Sequence, residues 1–301
     1  MTQPSKSSIF RHLLVVFRFS VLLAATVGSA FAQQGSGGHP APSQASPPPA
    51  PARNSPDFPS YSDPWGQNAL LYPNSSRLLQ AAKRDNCFLP PLNGLLASTI
   101  DVADLQVPAK AQKEKVDACF ALQIRKLNDA ESHLRKAVKQ SPEYSQAWVM
   151  LGQILAIQRK PSGASAACSQ PLSANPNYLP SYLCLSDISA RAEDWNRVLQ
   201  FSTRALEIDP ATTAVAYDYN AAAYLHLHKL PEAEKSALRA LEIDKTNSDP
   251  RVHFLLAQIY SAKGDREKAA AQLREYLRYT TDPKDIAMVN QYISQLTQPA
   301  K

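Results

Sequence analysis

Glycine is scarce in this chain and never clusters where a ligand loop would need it. There are nine glycines in 301 residues, and beyond residue 110 only Gly152, Gly163 and Gly264 occur. A loop that cradles phosphate needs several glycines within a few positions, so a nucleotide site of that kind is excluded. Histidine and cysteine are also sparse, at six and four residues. No His-Glu-x-x-His run and no Cys-x-x-Cys pair is present, the spacings that zinc sites use. His226 and His228 lie two apart and so face different sides of a helix, while His133 and His253 stand alone in the sequence. No acid–base pair stands apart from the solvated carboxylates. These absences lead to the expectation of a non-catalytic protein with no cofactor and no metal.

Long apolar runs are missing as well. The longest candidate, Phe19–Ala32, has 14 residues, whereas about 20 are needed to span a bilayer. Lys6, Arg11 and Arg18 precede or open it, and Gly28-Ser29-Ala30-Phe31-Ala32 places small residues at −3 and −1. This pattern reads as a signal peptide over 1–32, cleaved near Ala32, and places the mature chain in the periplasm or outside the cell. A retained anchor is the competing reading. Cleavage removes three basic residues and no acidic ones, leaving 29 Lys and Arg against 26 Asp and Glu. A mature chain so near neutrality gives no reason to expect a nucleic-acid partner, and it has no transmembrane span. Residues 33–60 carry three glycines and eight prolines with almost no large apolar side chain, the composition of a disordered linker. Residues 61–110 read as an N-terminal extension capping the folded remainder of the chain. Within it, Asn74 or Ser75 begins a short helix with Leu78, Leu79 and Ala82, and Leu96–Val107 reads as extended.

What the chain does have is a period. Ala130, Ala164, Val198, Ala233 and Ala269 recur at steps of 34, 34, 35 and 36 residues. A second ladder runs seven positions later through Ala137, Pro171, Ala205, Ala240 and Tyr276, and a third through Pro142, Pro176 and Pro210. Self-similarity at this period marks a solenoid, in which each helical pair buries its apolar face on its neighbours. Between Ser145 and Pro176, Trp148, Leu151, Gly152 and Leu155 form one helical stripe, and Pro161 opens the next helix. Pro171 should end that second helix early or kink it. Ile286, Val289, Tyr292, Ile293 and Leu296 give a last stripe suited to a capping helix.

Trp148, Leu151, Gly152, Ala164 and Pro176, then Tyr182, Leu185, Ala205 and Pro210, then Tyr217, Ala221, Tyr224, Ala233 and Ala240 resemble the tetratricopeptide repeat (TPR). The resemblance covers 111–283, is similar to exported bacterial members of that family, and implies an all-α solenoid of about five helix pairs with a capping helix at 284–301. It implies a concave groove lined by positions 2, 5, 9, 12 and 13 of each first helix. Mapped here, the groove candidates are Lys115, Gln146, Val149, Gln153, Ile157, Leu183, Asp187, Asp218, Leu225, Phe254 and Gln258. Apolar patches among amides suit an extended or helical peptide. The function implied is a scaffold or adaptor binding another protein or peptide. A cell-wall-associated module and a non-catalytic subunit of an envelope enzyme are the alternatives. Four cysteines allow three full pairings, and Cys168 with Cys184 is the better candidate because they lie on consecutive helices.

Overall fold

The computed structural model describes residues 89, 102–211, 213–245, 249–281 and 283–298. The signal peptide, the Pro-rich linker and the short helix expected after Asn74 lie outside the described residues. A single helical turn, α1 (Val102–Leu105), precedes five helix pairs. The first pair is α2 (Ala109–Gln123) and α3 (Leu127–Gln140), and the second is α4 (Ser145–Ile157) and α5 (Pro161–Ser169). The third is α6 (Leu179–Arg191) and α7 (Trp195–Ile208), and the fourth α8 (Ala214–His226) and α9 (Leu230–Ile243). The fifth, α10 (Arg251–Ala262) and α11 (Arg266–Leu277), is followed by the capping helix α12 (Pro283–Thr297). Among the described residues there is no strand.

The extended reading of Leu96–Val107 is corrected over its described part. Val102–Leu105 is helical, Leu105 is exposed and Val107 is buried. An isolated strand beside an all-helical array would leave its N–H and C=O groups without a ladder, and one helical turn satisfies them locally.

The small-residue ladder explains how the paired helices approach. Ala130, Ala164, Val198, Ala233 and Ala269 are all fully buried, each where two helices of a pair cross. Gly152 on α4 belongs to the same close packing, since a Cβ placed on it would collide with Cys168 Sγ on α5. Each turn between paired helices then reverses through one residue in the left-handed region: Arg125, Arg159, Glu193, His228 and Gly264, with φ of 57–59° for the first four and 80° for the glycine. Asp194 and Asp265 cap the helices that come after two of these turns, accepting from Arg197 N–H and Lys268 N–H at 3.1 Å. Pro171 acts as its ring requires: α5 stops at Ser169 and the chain tightens into a 3₁₀ turn over Gln170–Ser173.

A second recurrent bond closes the turns between pairs. Trp148 Nε1–H donates to the Pro142 carbonyl at 2.7 Å, Tyr182 O–H to Pro176 O at 2.8 Å, and Tyr217 O–H to Pro210 O at 3.2 Å. In the second, third and fourth pairs the early aromatic of the first helix thus ties back to the proline that ended the previous pair. In the fifth pair His253 takes the aromatic slot, and its Nδ1 instead shares a 2.8 Å bond with Gln272 Oε1 on α11.

Every second helix packs on the first helix of its own pair and on that of the next. First helices also touch one another from α4 through α10, whereas second helices of successive pairs make no comparable contact. The first helices therefore form the inner, closer-set layer. The two ends differ. At the C-terminal end α12 buries Val289 and Leu296 against the array. At the other, Val116 and Phe120 on α2 are 41% and 62% exposed, while their repeat equivalents Met150 and Ile154 are buried by the preceding pair.

Candidate functional site

The groove candidates all lie on the inner layer, but their environments are unequal. Val149 and Leu183 have 0% exposure and belong to the hydrophobic core. They are removed as partner anchors. Their position faces the neighbouring first helix on either side, and in the interior pairs both neighbours are present to cover it. Asp218, at the same position in the fourth pair, is buried for the same reason. At the two ends of the array the position opens: Lys115 and Phe254 are half-buried.

Lys115 bridges two pairs. Its Nζ donates to Gln146 Oε1 at 2.9 Å and stands 5.7 Å from the Tyr144 ring centroid, a cation–π distance. Asp187 is buried but satisfied, accepting from Arg191 Nε at 2.8 Å and from Tyr219 O–H at 3.2 Å. Phe254 tilts against Tyr276 with centroids 5.7 Å apart. Leu225 and Gln258 are half-buried and Ile157 is exposed. Gln153 is buried, and its side chain bonds the main chain of Leu89. Of the groove candidates, Lys115 and Gln146 are half-buried and bonded to each other, and Ile157, Leu225, Phe254 and Gln258 continue the surface as a discontinuous row.

Cys168 on α5 and Cys184 on α6 are joined by a disulfide, with Cα atoms 6.1 Å apart. Cys119 is disulfide-bonded too. The link from Cys168 to Cys184 joins the second helix of the second pair to the first helix of the third.

Two features carried no sequence signal. Trp195, opening α7, stacks face to face on His226 at the end of α8, with centroids 3.8 Å apart and planes 2° from parallel. Burial against this ring pushes the His226 imidazole down to about 4, with Glu193 pulling weakly the other way. The two residues are 31 positions apart, so only the stacked fold brings them together. His133, which stood alone in the sequence, bonds Glu114 Oε2 through Nδ1 at 2.7 Å. Asp117 lies beside that pair but is engaged by Lys113 Nζ at 2.6 Å.

Comparisons with known proteins agree with this geometry. Family models described as tetratricopeptide repeat match residues 118–178 and 250–282. Anaphase-promoting complex subunit 3 of Schizosaccharomyces pombe is 25% identical over 171 residues, or 56% of this chain. The chain spans about a quarter of that relative's length. Among solved structures, a thermophilic TPR protein of Thermus thermophilus superposes with a TM-score of 0.51 at 21% identity, covering 62% of this chain and all of that one. PilW, described as a widely conserved type IV pilus biogenesis factor, superposes with a TM-score of 0.55 at 16% identity, over 62% and 88% of the two chains. Repeat ladder, paired helices, family models and superposed folds converge: this chain carries tetratricopeptide repeats, built into an all-α solenoid of five helix pairs with a C-terminal capping helix.

Proposed function

We propose that the chain is an exported, non-catalytic scaffold that holds another protein or peptide along its inner layer. The observation that carries the reading is the row of half-buried and exposed side chains, Ile157, Leu225, Phe254 and Gln258, on helices that bury other inner positions such as Val149 and Asp218. Apolar contacts flanked by an amide fit an extended or helical segment whose own main chain needs partners. Export is supported by the residues of the leader pattern and by the Cys168–Cys184 disulfide, since disulfides persist in oxidising compartments.

The test is affinity capture from a cell-envelope extract on the full chain, beside a copy carrying Ile157→Glu and Phe254→Glu. A protein retained by the first and lost with the second, at unchanged helical circular dichroism, is the expected result. Equal retention by both sinks the inner-layer assignment. Co-sedimentation of the chain with isolated wall material, with no protein retained, would favour the wall-associated alternative. Mass spectrometry of the exported chain is expected to find Gln33 at its N-terminus.

A further inference from the structure

Gln153 stands on α4 at the ninth position of its repeat and is 7% exposed. Its carboxamide engages one residue 64 positions earlier, on both sides. Nε2 donates to the Leu89 carbonyl at 2.9 Å, and the Leu89 N–H donates to Oε1 at 3.3 Å. This is the donor–acceptor pair that an adjacent strand would offer, supplied by a single side chain. It recognises main chain and is indifferent to the residue that carries it, provided that residue is extended and has an N–H. Leu89 meets both conditions. It precedes Pro90 in the sequence, and the residue before a proline is driven out of the helical region into the extended one. Its side chain meanwhile packs on the core cluster beneath α4.

The opposite end of α4 is also taken by chain from before the array. α1 packs on α4, and Asp104 Oδ1 accepts from the Gln146 N–H at 3.5 Å. Gln146 and Gln153 are both groove positions of the second pair, and residues upstream of α2 contact each of them.

We propose that Leu89, through its own main-chain N–H and C=O, is an internal ligand of the inner layer at the second helix pair. It fills the place where a partner's main chain would be read, and a client reaching Gln153 must displace it. The inference rests on the inner layer being the binding face. Its consequence is a competitive threshold: a client's affinity at this pair is reduced by the fraction of molecules in which Leu89 is docked.

Amide exchange at Leu89 in the full chain, read by NMR with ¹⁵N-leucine, tests the contact. The Leu89 amide is expected to exchange at least about tenfold more slowly than an unstructured residue, and Gln153→Leu is expected to erase that protection while Leu155, inside α4, stays protected. A Leu89 amide exchanging at the unstructured rate in the unmodified chain overturns the proposal. A fluorescent peptide of residues 88–95 then probes the vacated place. Leu89→Asp is expected to bind it roughly tenfold more tightly than the unmodified chain, and adding Gln153→Leu to remove that gain. Equal binding by the unmodified chain and Leu89→Asp overturns displacement. The two readings fail separately. Envelope capture lost with Ile157→Glu and Phe254→Glu but indifferent to Leu89→Asp overturns displacement and keeps the binding face. Tighter peptide binding by Leu89→Asp, with no capture sensitive to the first two substitutions, keeps the internal ligand and overturns the scaffold reading.

Discussion

Arg125, Arg159, Glu193 and His228 each hold a left-handed backbone conformation that glycine adopts at no steric cost, as Gly264 does in the fifth turn. Arg125→Gly is therefore expected to stabilise the fold by about 0.5–1 kcal/mol, once the entropy glycine adds to the unfolded chain is subtracted, as read from chemical denaturation. Gly264→Ala is expected to cost about 1 kcal/mol by the same measurement. The two helical glycines divide in the same way. At Gly152 an added Cβ meets a sulfur held in a disulfide, which cannot swing aside, so Gly152→Ala is expected to lose about 1–3 kcal/mol. At Gly163 the nearest atom is Leu155 Cδ1 at 3.5 Å, an ordinary contact. Gly163→Ala is expected to stabilise by roughly 0.5–1 kcal/mol through helix propensity. Thermal unfolding of the pair settles both signs in one comparison. His226 sets a pH term. Its folded pKa lies near 4, below the ordinary 6.5, because burial disfavours the imidazolium. The unfolded chain therefore binds the extra proton first, and stability falls as pH drops from about 6.5 towards 4. Replacing His226 with Phe is expected to flatten that part of the melting-temperature profile, and an unchanged slope would assign it to other groups.

Among elements, the tie from an early aromatic to a proline carbonyl is what a repeat needs to set the angle between successive pairs. Tyr182→Phe removes one such bond while leaving the ring, and is expected to cost about 0.5–1.5 kcal/mol by chemical denaturation. The positions of the helices were legible in the sequence because the 34–36-residue ladder and its prolines are local signals, and Pro171 even marked where α5 would stop. The turn at Val102–Leu105 was not, since four residues carry too little periodicity to tell a strand from a helix. The site was legible only in part. Spacing fixes where a residue sits around its own helix, and that suffices for Phe254. It says nothing about how closely the neighbouring first helix approaches, and that approach buried Val149 and Leu183. The contact between Leu89 and Gln153, like the stack of Trp195 on His226, joins residues that no spacing rule relates.

Across the whole molecule the two ends are chemically unlike. α12 closes the C-terminal end, whereas α2 presents Val116 and Phe120 where interior pairs bury their counterparts. In a structure stabilised by contacts between neighbours, opening is expected to begin at the end with fewer of them. Hydrogen exchange should therefore be fastest in α2 and α3 and slowest around α6, and the reverse order would contradict this assignment. The disulfide between α5 and α6 gives the same molecule a mechanical property. Under tension applied at the termini, pairs can peel away from either side, but the 16-residue separation between Cys168 and Cys184 stays closed. The bond withholds roughly 5–6 nm of contour length, at about 3.5 Å per residue. A stretched copy would thus keep a closed knot between its second and third pairs, besides whatever the bond at Cys119 holds, until a reductant released both.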